Sequence, residues 1–174
     1  MSKRHSTRIL SVDIRSRRFG YAIFEMSTQL LDSGIARCVP PEIAATRIAG
    51  LCKVFRPSLI VLRKEAVRRG RSYPSTNAVR RAVRNEAMRR FIPTVTVAER
   101  TVKNWFQLHG KAGKYAIASF LANSFPELSW KLPPRRKAWE PEPWSFCLFD
   151  AVALGIVYVH SHSGQTEATA LVSN

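Results

Sequence analysis

The chain has 174 residues, with 28 Lys plus Arg against 12 Asp plus Glu, for a formal net charge of +16. A hydrophobic content of 45% supports one folded domain with a real core and excludes wholesale disorder. A domain this cationic repels itself, which points to a polyanionic partner, either nucleic acid or an anionic membrane surface.

In chain order, residues 8–12 read as a first strand, 19–26 as a second and 29–37 as a third. Their connections are short, so an antiparallel meander is expected. Pro40 and Pro41 open a helix, because proline is tolerated in the first turn. Ala44, Ile48, Leu51, Cys52 and Phe55 form its apolar stripe, and Pro57 stops it. "SLIVLRKE", 58–65, suits a strand buried on both faces. Residues 75–90 stack Val79, Val83 and Ala87 at helical spacing, and 94–99 is another strand. Two helices follow, about 98–108 and then up to Phe125, separated by Gly110 and Gly113. Residues 126–143 hold five prolines and cannot be one regular element. A last helix covers about 144–160. Three hairpin strands followed by alternating helix and strand predict a mixed five-stranded sheet, three antiparallel strands and then parallel ones, with helices on its faces. The expectation is one domain over 1–162 and a mobile tail over 163–174.

The most apolar stretch, 144–159, is shorter than the roughly 20 residues of a membrane span and contains Asp150. The short run at 9–12, three apolar residues around Ser11, is too short for the core of a signal peptide. Cys38, Cys52 and Cys147 are odd in number and far apart, so they give neither zinc spacing nor a disulfide framework. A reducing, cytoplasmic location without membrane contact is the expectation.

Only three aspartates occur, Asp13, Asp32 and Asp150. Asp32 falls in a hairpin, where exposure is expected. Asp150 lies in a helix that is apolar nearly all round, so it should be buried. An ionised carboxylate there requires a partner, either an arginine or a metal ion. Asp13 ends the first strand, and a turn-forming acid is its simplest role. Glu65 ends the strand of 58–65, where a surface pairing with Lys64 or Arg68 is the simple reading. Brought together, such carboxylates supply the oxygen ligands that Mg²⁺ needs, and two ions can act on a phosphodiester.

"ILSVDIRSRRFGYAIFE" resembles the first motif of the RuvC-type Holliday junction resolvases of the ribonuclease H-like superfamily, with Asp13, Gly20 and Tyr21 matching. "RPSLIVLRKE" resembles the family's fourth strand, which ends in a catalytic Glu. The stretch 93–125 is similar to the next strand and helix pair, including Lys114, and "FDAVALGIVYVHSH" resembles the final helix with Asp150 at its catalytic Asp. The similarity covers about residues 8–162. It implies a homodimeric endonuclease nicking branched DNA, with Asp13, Glu65 and Asp150 as catalytic ligands of Mg²⁺ or Mn²⁺ and Lys114 on the substrate phosphate.

Three positions depart from that pattern. The family's Pro-Gly after the first Asp is Ile14-Arg15 here. Counted from the proline, the family's Glu falls at Arg63, with Glu65 one step along on the same strand face. The second Asp of the final helix is Cys147, for which Glu142 or Glu140 would compensate, with His160 and His162 as further candidates. A non-catalytic nucleic-acid-binding protein on the same fold is therefore the alternative, and a nuclease trimming ribosomal RNA precursors is a close variant.

The segment 63–90 is dense in arginine and opposed only by Glu65 and Glu86. Arg68, Arg69, Arg71, Arg80, Arg81 and Arg84 are the expected phosphate contacts there. Lys111 and Lys114 flank a helix start, where phosphate is favoured. Arg135 and Arg136 form a second cluster beside Trp130 and Trp139, which either stack on unpaired bases or pin the loop to the core.

Overall fold

The computed structural model describes residues 7–25, 29–64, 74–137 and 139–171, and side chains over the same ranges except 74–75 and 163–171. Three strands come first, β1 (Arg8–Ile14), β2 (Arg18–Glu25) and β3 (Leu30–Arg37). Then follow α1 (Pro41–Phe55), β4 (Leu59–Arg63), α2 (Pro74–Arg89), β5 (Thr94–Val97), α3 (Glu99–Leu108), α4 (Lys114–Ser124), α5 (Pro126–Ser129) and α6 (Phe146–Leu171). The sheet order is β3-β2-β1-β4-β5, antiparallel across β3-β2-β1 and parallel across β1-β4-β5. The mixed sheet expected from the order of elements is the one observed.

Strand periodicity divides β1 between two cores. Leu10, Val12 and Ile14 face one layer, where Ala44, Ile48 and Leu51 of α1 meet Val79, Val83 and Ala87 of α2. Ile9 faces the other, built on α6 with Leu121 of α4 and Phe106 of α3. Ser11 shares the α6 face, and its hydroxyl donates to the Ala151 carbonyl at 2.8 Å. Asp13, two residues on, shares that face by the same alternation. In β4, Leu59 and Val61 join the α6 core, so Arg63 points the same way.

The helix α6 is buried all round from Phe146 to Val157, apart from the partly exposed Asp150, with Val159 again buried. Gly20 sets how closely it lies on the sheet. A Cβ there would stand 2.0 Å from the Cys147 carbonyl oxygen, so only glycine admits this contact. Because Gly20 pairs with Asp13 across the hairpin, the same contact brings the first turn of α6 to the carboxylate end of β1.

Several boundaries differ from the sequence reading. The fourth strand ends at Arg63, and Glu65 lies outside the described residues. The fifth ends at Val97, because Ala98 already caps α3 in extended conformation. The last helix continues to Leu171 rather than ending near residue 160. The proline-rich stretch contains the short α5, which begins at Pro126. No helix among the described residues is long and apolar enough to cross a membrane.

Candidate functional site

Asp13 is the most deeply buried acid among the described residues, with 1% of its surface exposed. It is the penultimate residue of β1, and the hairpin beyond it is closed by Arg15 N–H donating to the Arg18 carbonyl at 2.8 Å. Asp150 sits in the second turn of α6 and faces the end of β1. It keeps 17% of its side chain open. The two acids thus reverse the expected burial. The strand runs deeper beneath α6 than its apolar run suggests, while Asp150 opens on a cleft rather than on the core.

Two guanidinium groups join the acids. Arg15 donates from Nε to Asp13 Oδ2 at 2.8 Å and from Nη2 to Asp150 Oδ2. Arg63 places Nε 2.9 Å from Asp13 Oδ1 and Nη2 3.3 Å from Asp150 Oδ2. The Arg63–Asp13 contact is out of line for a hydrogen bond, so its attraction is electrostatic. Around this quartet, Lys114 Nζ lies 2.6 Å from Glu142 Oε1 and 3.6 Å from Asp150 Oδ2. Glu142 also lies 3.8 Å from Arg15, and Glu99 stands 3.9 Å from Arg63 and 2.7 Å from Lys103.

Burial pushes the Asp13 carboxyl above its ordinary range and Asp150 adds to this, while Arg63 and Arg15 oppose it. For Arg15, burial works against the charge, but Asp13, Asp150 and Glu142 outweigh it and hold the guanidinium above its ordinary value. Hydrogen bonding from Lys103 lowers the Glu99 carboxyl against the effect of burial, with help from Arg63. A carboxylate pair this close needs positive charge between its members. Here the protein supplies it from its own side chains.

That arrangement does not fit a divalent ion. A hard cation requires free carboxylate oxygens, and Arg15 and Arg63 contact both oxygens of Asp13 and Oδ2 of Asp150. Among the described residues, no group of three or more His, Cys, Asp or Glu is placed to hold a metal. Cys147 contributes no substitute. Its thiol is buried and pushed up to about 12 by that burial, so it stays protonated.

A cleft of about 280 Å³ leads from the quartet between α3, α4 and α6, lined by Arg63, Glu99, Lys103, Lys111, Lys114 and Asp150. A neighbouring cavity of about 630 Å³ joins Lys114 and Glu142 to Arg135, Arg136 and Lys137. The two expected basic clusters around α4 therefore form one continuous cationic rim. Arg81 and Arg84 are exposed on α2. Arg80 is turned inward, donating to the Arg63 carbonyl, so it anchors α2 to the end of β4 rather than facing phosphate. Arg68, Arg69 and Arg71 lie outside the described residues. Trp130 and Trp139 are each 79% exposed and do not pin the loop to the core. His160 stacks on Trp105, and His162 contacts the Tyr158 carbonyl at 2.8 Å. Both lie about 15 Å or more along α6 from Asp150. Asp32 is half-buried, near the Tyr21 hydroxyl at 3.4 Å.

The carboxylate contact of Arg63 follows from strand parity, and that of Arg15 from its place directly after the first strand. Glu99 gave no signal beyond opening a helix.

Neither protein-family models nor curated proteins give a match to this chain. Solved structures do. RuvC of Thermus thermophilus superposes with a TM-score of 0.65 at 17% identity, over 91% of this chain and 97% of that one. The fold is that of the RuvC-type resolvases. The same bacterial RuvC in complex with a Holliday junction substrate gives 0.64 at 16% identity, over 91% and 96% of the two chains. The yeast mitochondrial Holliday junction resolvase Ydc2 gives 0.62 at 14%, over 88% and 78%. The resolvase fold read from the motifs is thus the fold observed, at a sequence distance that fits a divergent chain.

Proposed function

We propose that this protein binds branched DNA on the resolvase fold without cutting it, its acid pair being held by arginine instead of metal. The observation that carries this reading is that Arg15 and Arg63 each contact both Asp13 and Asp150. Two guanidiniums there repel a divalent cation and hold three of the four carboxylate oxygens of the pair, both of Asp13 and Oδ2 of Asp150. The net charge of +16 and the rim of Lys111, Lys114, Arg135 and Arg136 suit a phosphate backbone. The neighbour solved with a Holliday junction substrate supports a branched ligand over a plain duplex.

A metal-dependent endonuclease is the second reading. It is favoured by Asp13 and Asp150 standing together at the end of β1 and the start of α6, with Glu142 in the same cluster. It requires both arginines to leave the acids, and Glu65 to complete a ligand set with them.

One gel separates the two. Labelled four-way junction, duplex and single strand are incubated with protein in EDTA, Mg²⁺ or Mn²⁺. Junction binding that weakens with salt, with every strand intact, is the expected result. Metal-dependent nicks abolished by Asp13→Asn would overturn it in favour of the endonuclease, and no binding to any form would overturn both.

A further inference from the structure

A second surface lies on the far side of the β1–β2 hairpin from the cleft. Arg18, the first residue of β2, pairs across strands with Arg37, the last of β3. Above them, Trp144 precedes α6 and Trp130 follows α5. These side chains, with Lys131, surround a cavity of about 400 Å³ that no acid among the described residues lines. Both rings are open, Trp144 61% and Trp130 79% exposed, which is unusual for the largest apolar side chain. Each carries a cation against its ring. The Arg18 guanidinium carbon is 4.4 Å from the Trp144 centroid, and Lys131 Nζ is 5.1 Å from that of Trp130.

Exposed aromatic faces held beside unopposed positive charge match one ligand chemistry, a flat base attached to a phosphate. An acidic peptide would use the charge but leave the rings bare. A bare apolar partner would use the rings but strand three cations. The place fits as well, because Arg18 closes the same turn that carries Arg15 onto the acid pair. We infer that the Trp130–Trp144 cavity is a subsite for an unpaired base of a nucleic-acid strand, with Arg18, Arg37 and Lys131 on its phosphates. This rests on the nucleic-acid reading above and names the part of a branched ligand taken there, the unpaired nucleotide at the branch.

The test measures tryptophan quenching and affinity for oligo(dT) and for a blunt duplex of equal length, using wild type, Trp144→Ala and Trp130→Ala. Oligo(dT) is expected to quench the wild type, and each substitution to weaken oligo(dT) binding about fivefold or more with duplex binding unchanged. Unchanged duplex binding also shows that the variants are folded. Oligo(dT) affinity that survives both substitutions, or equal loss on duplex and single strand, would overturn the subsite while leaving the nucleic-acid reading intact. A wild type that binds neither ligand would overturn both.

Discussion

Arg63 spans the two aspartates, with Nε 2.9 Å from Asp13 Oδ1 and Nη2 3.3 Å from Asp150 Oδ2. It stands on the strand position where the resolvase resemblance puts a catalytic Glu. With Arg15 it ties the two acids into one ion network. The arginines offset part of the cost of burying Asp13, and the two carboxylates hold the arginines in place.

That mutual dependence is measurable. Asp13→Asn or Arg63→Met alone leaves a buried charge short of its partner and costs about 3 kcal/mol of folding stability. The double variant removes both charges and recovers part of the loss. Urea midpoints at unchanged m-value are expected to give a coupling free energy of about 1–3 kcal/mol. Additive losses would show that the two side chains do not depend on each other.

Gly20→Ala tests how the acids are brought together. The added Cβ would meet the Cys147 carbonyl at 2.0 Å, a backbone atom that cannot turn aside. The helix must lift, and a loss of about 1–3 kcal/mol is expected, as for other overpacked contacts. Thermal unfolding of this variant checks it, and a wild-type midpoint would mean that the contact is looser than described.

The arginines of α2 divide into two kinds. Arg81→Ala and Arg84→Ala, both at exposed positions, are each expected to lower the slope of log K against log salt by about one and leave stability unchanged. Arg80→Ala, which removes the anchor to the Arg63 carbonyl, is expected to lower stability and leave that slope unchanged. Junction binding at several salt concentrations beside thermal melts reads out both.

The thiols give a pH prediction. Burial raises all three above the ordinary 9.0, Cys38 and Cys52 to about 11 and Cys147 to about 12. The folded protein holds these protons more tightly than the unfolded chain. Their contribution to stability is therefore fully present below pH 9.0 and is lost as pH rises from 9.0 towards 12. A thiol reagent at pH 8 is expected to react slowly with the native protein and rapidly with all three cysteines in denaturant. Fast native labelling would contradict their burial.

Much of the fold was legible because it is written in local periodicity. The stripe of Ala44, Ile48, Leu51 and Cys52 and the stacking of Val79, Val83 and Ala87 fixed two helices, and short hairpin links fixed the antiparallel half of the sheet. The site was legible only in part. The alternation of β1 puts Asp13 and Ser11 on one face, but their depth depends on Gly20 admitting α6, a tertiary contact without a sequence period. Asp150 sits in a run apolar on every side, which suggested burial, yet its own turn faces the cleft. Arg15 and Arg63 were visible as departures from a motif. That they meet the same two carboxylates is decided by the approach of β1, β4 and α6, which no single segment encodes. Trp144 and Arg18 lie far apart in the chain and gave no joint signal.

Calorimetric titration of Mn²⁺ into the wild-type protein tests the central claim most directly. With Arg15 and Arg63 on the acid pair, no saturable binding is expected, and the thermal midpoint is expected to be the same in Mn²⁺ and in EDTA. Stoichiometric Mn²⁺ binding that disappears in Asp13→Asn would show that the ion displaces the arginines, and would contradict the account.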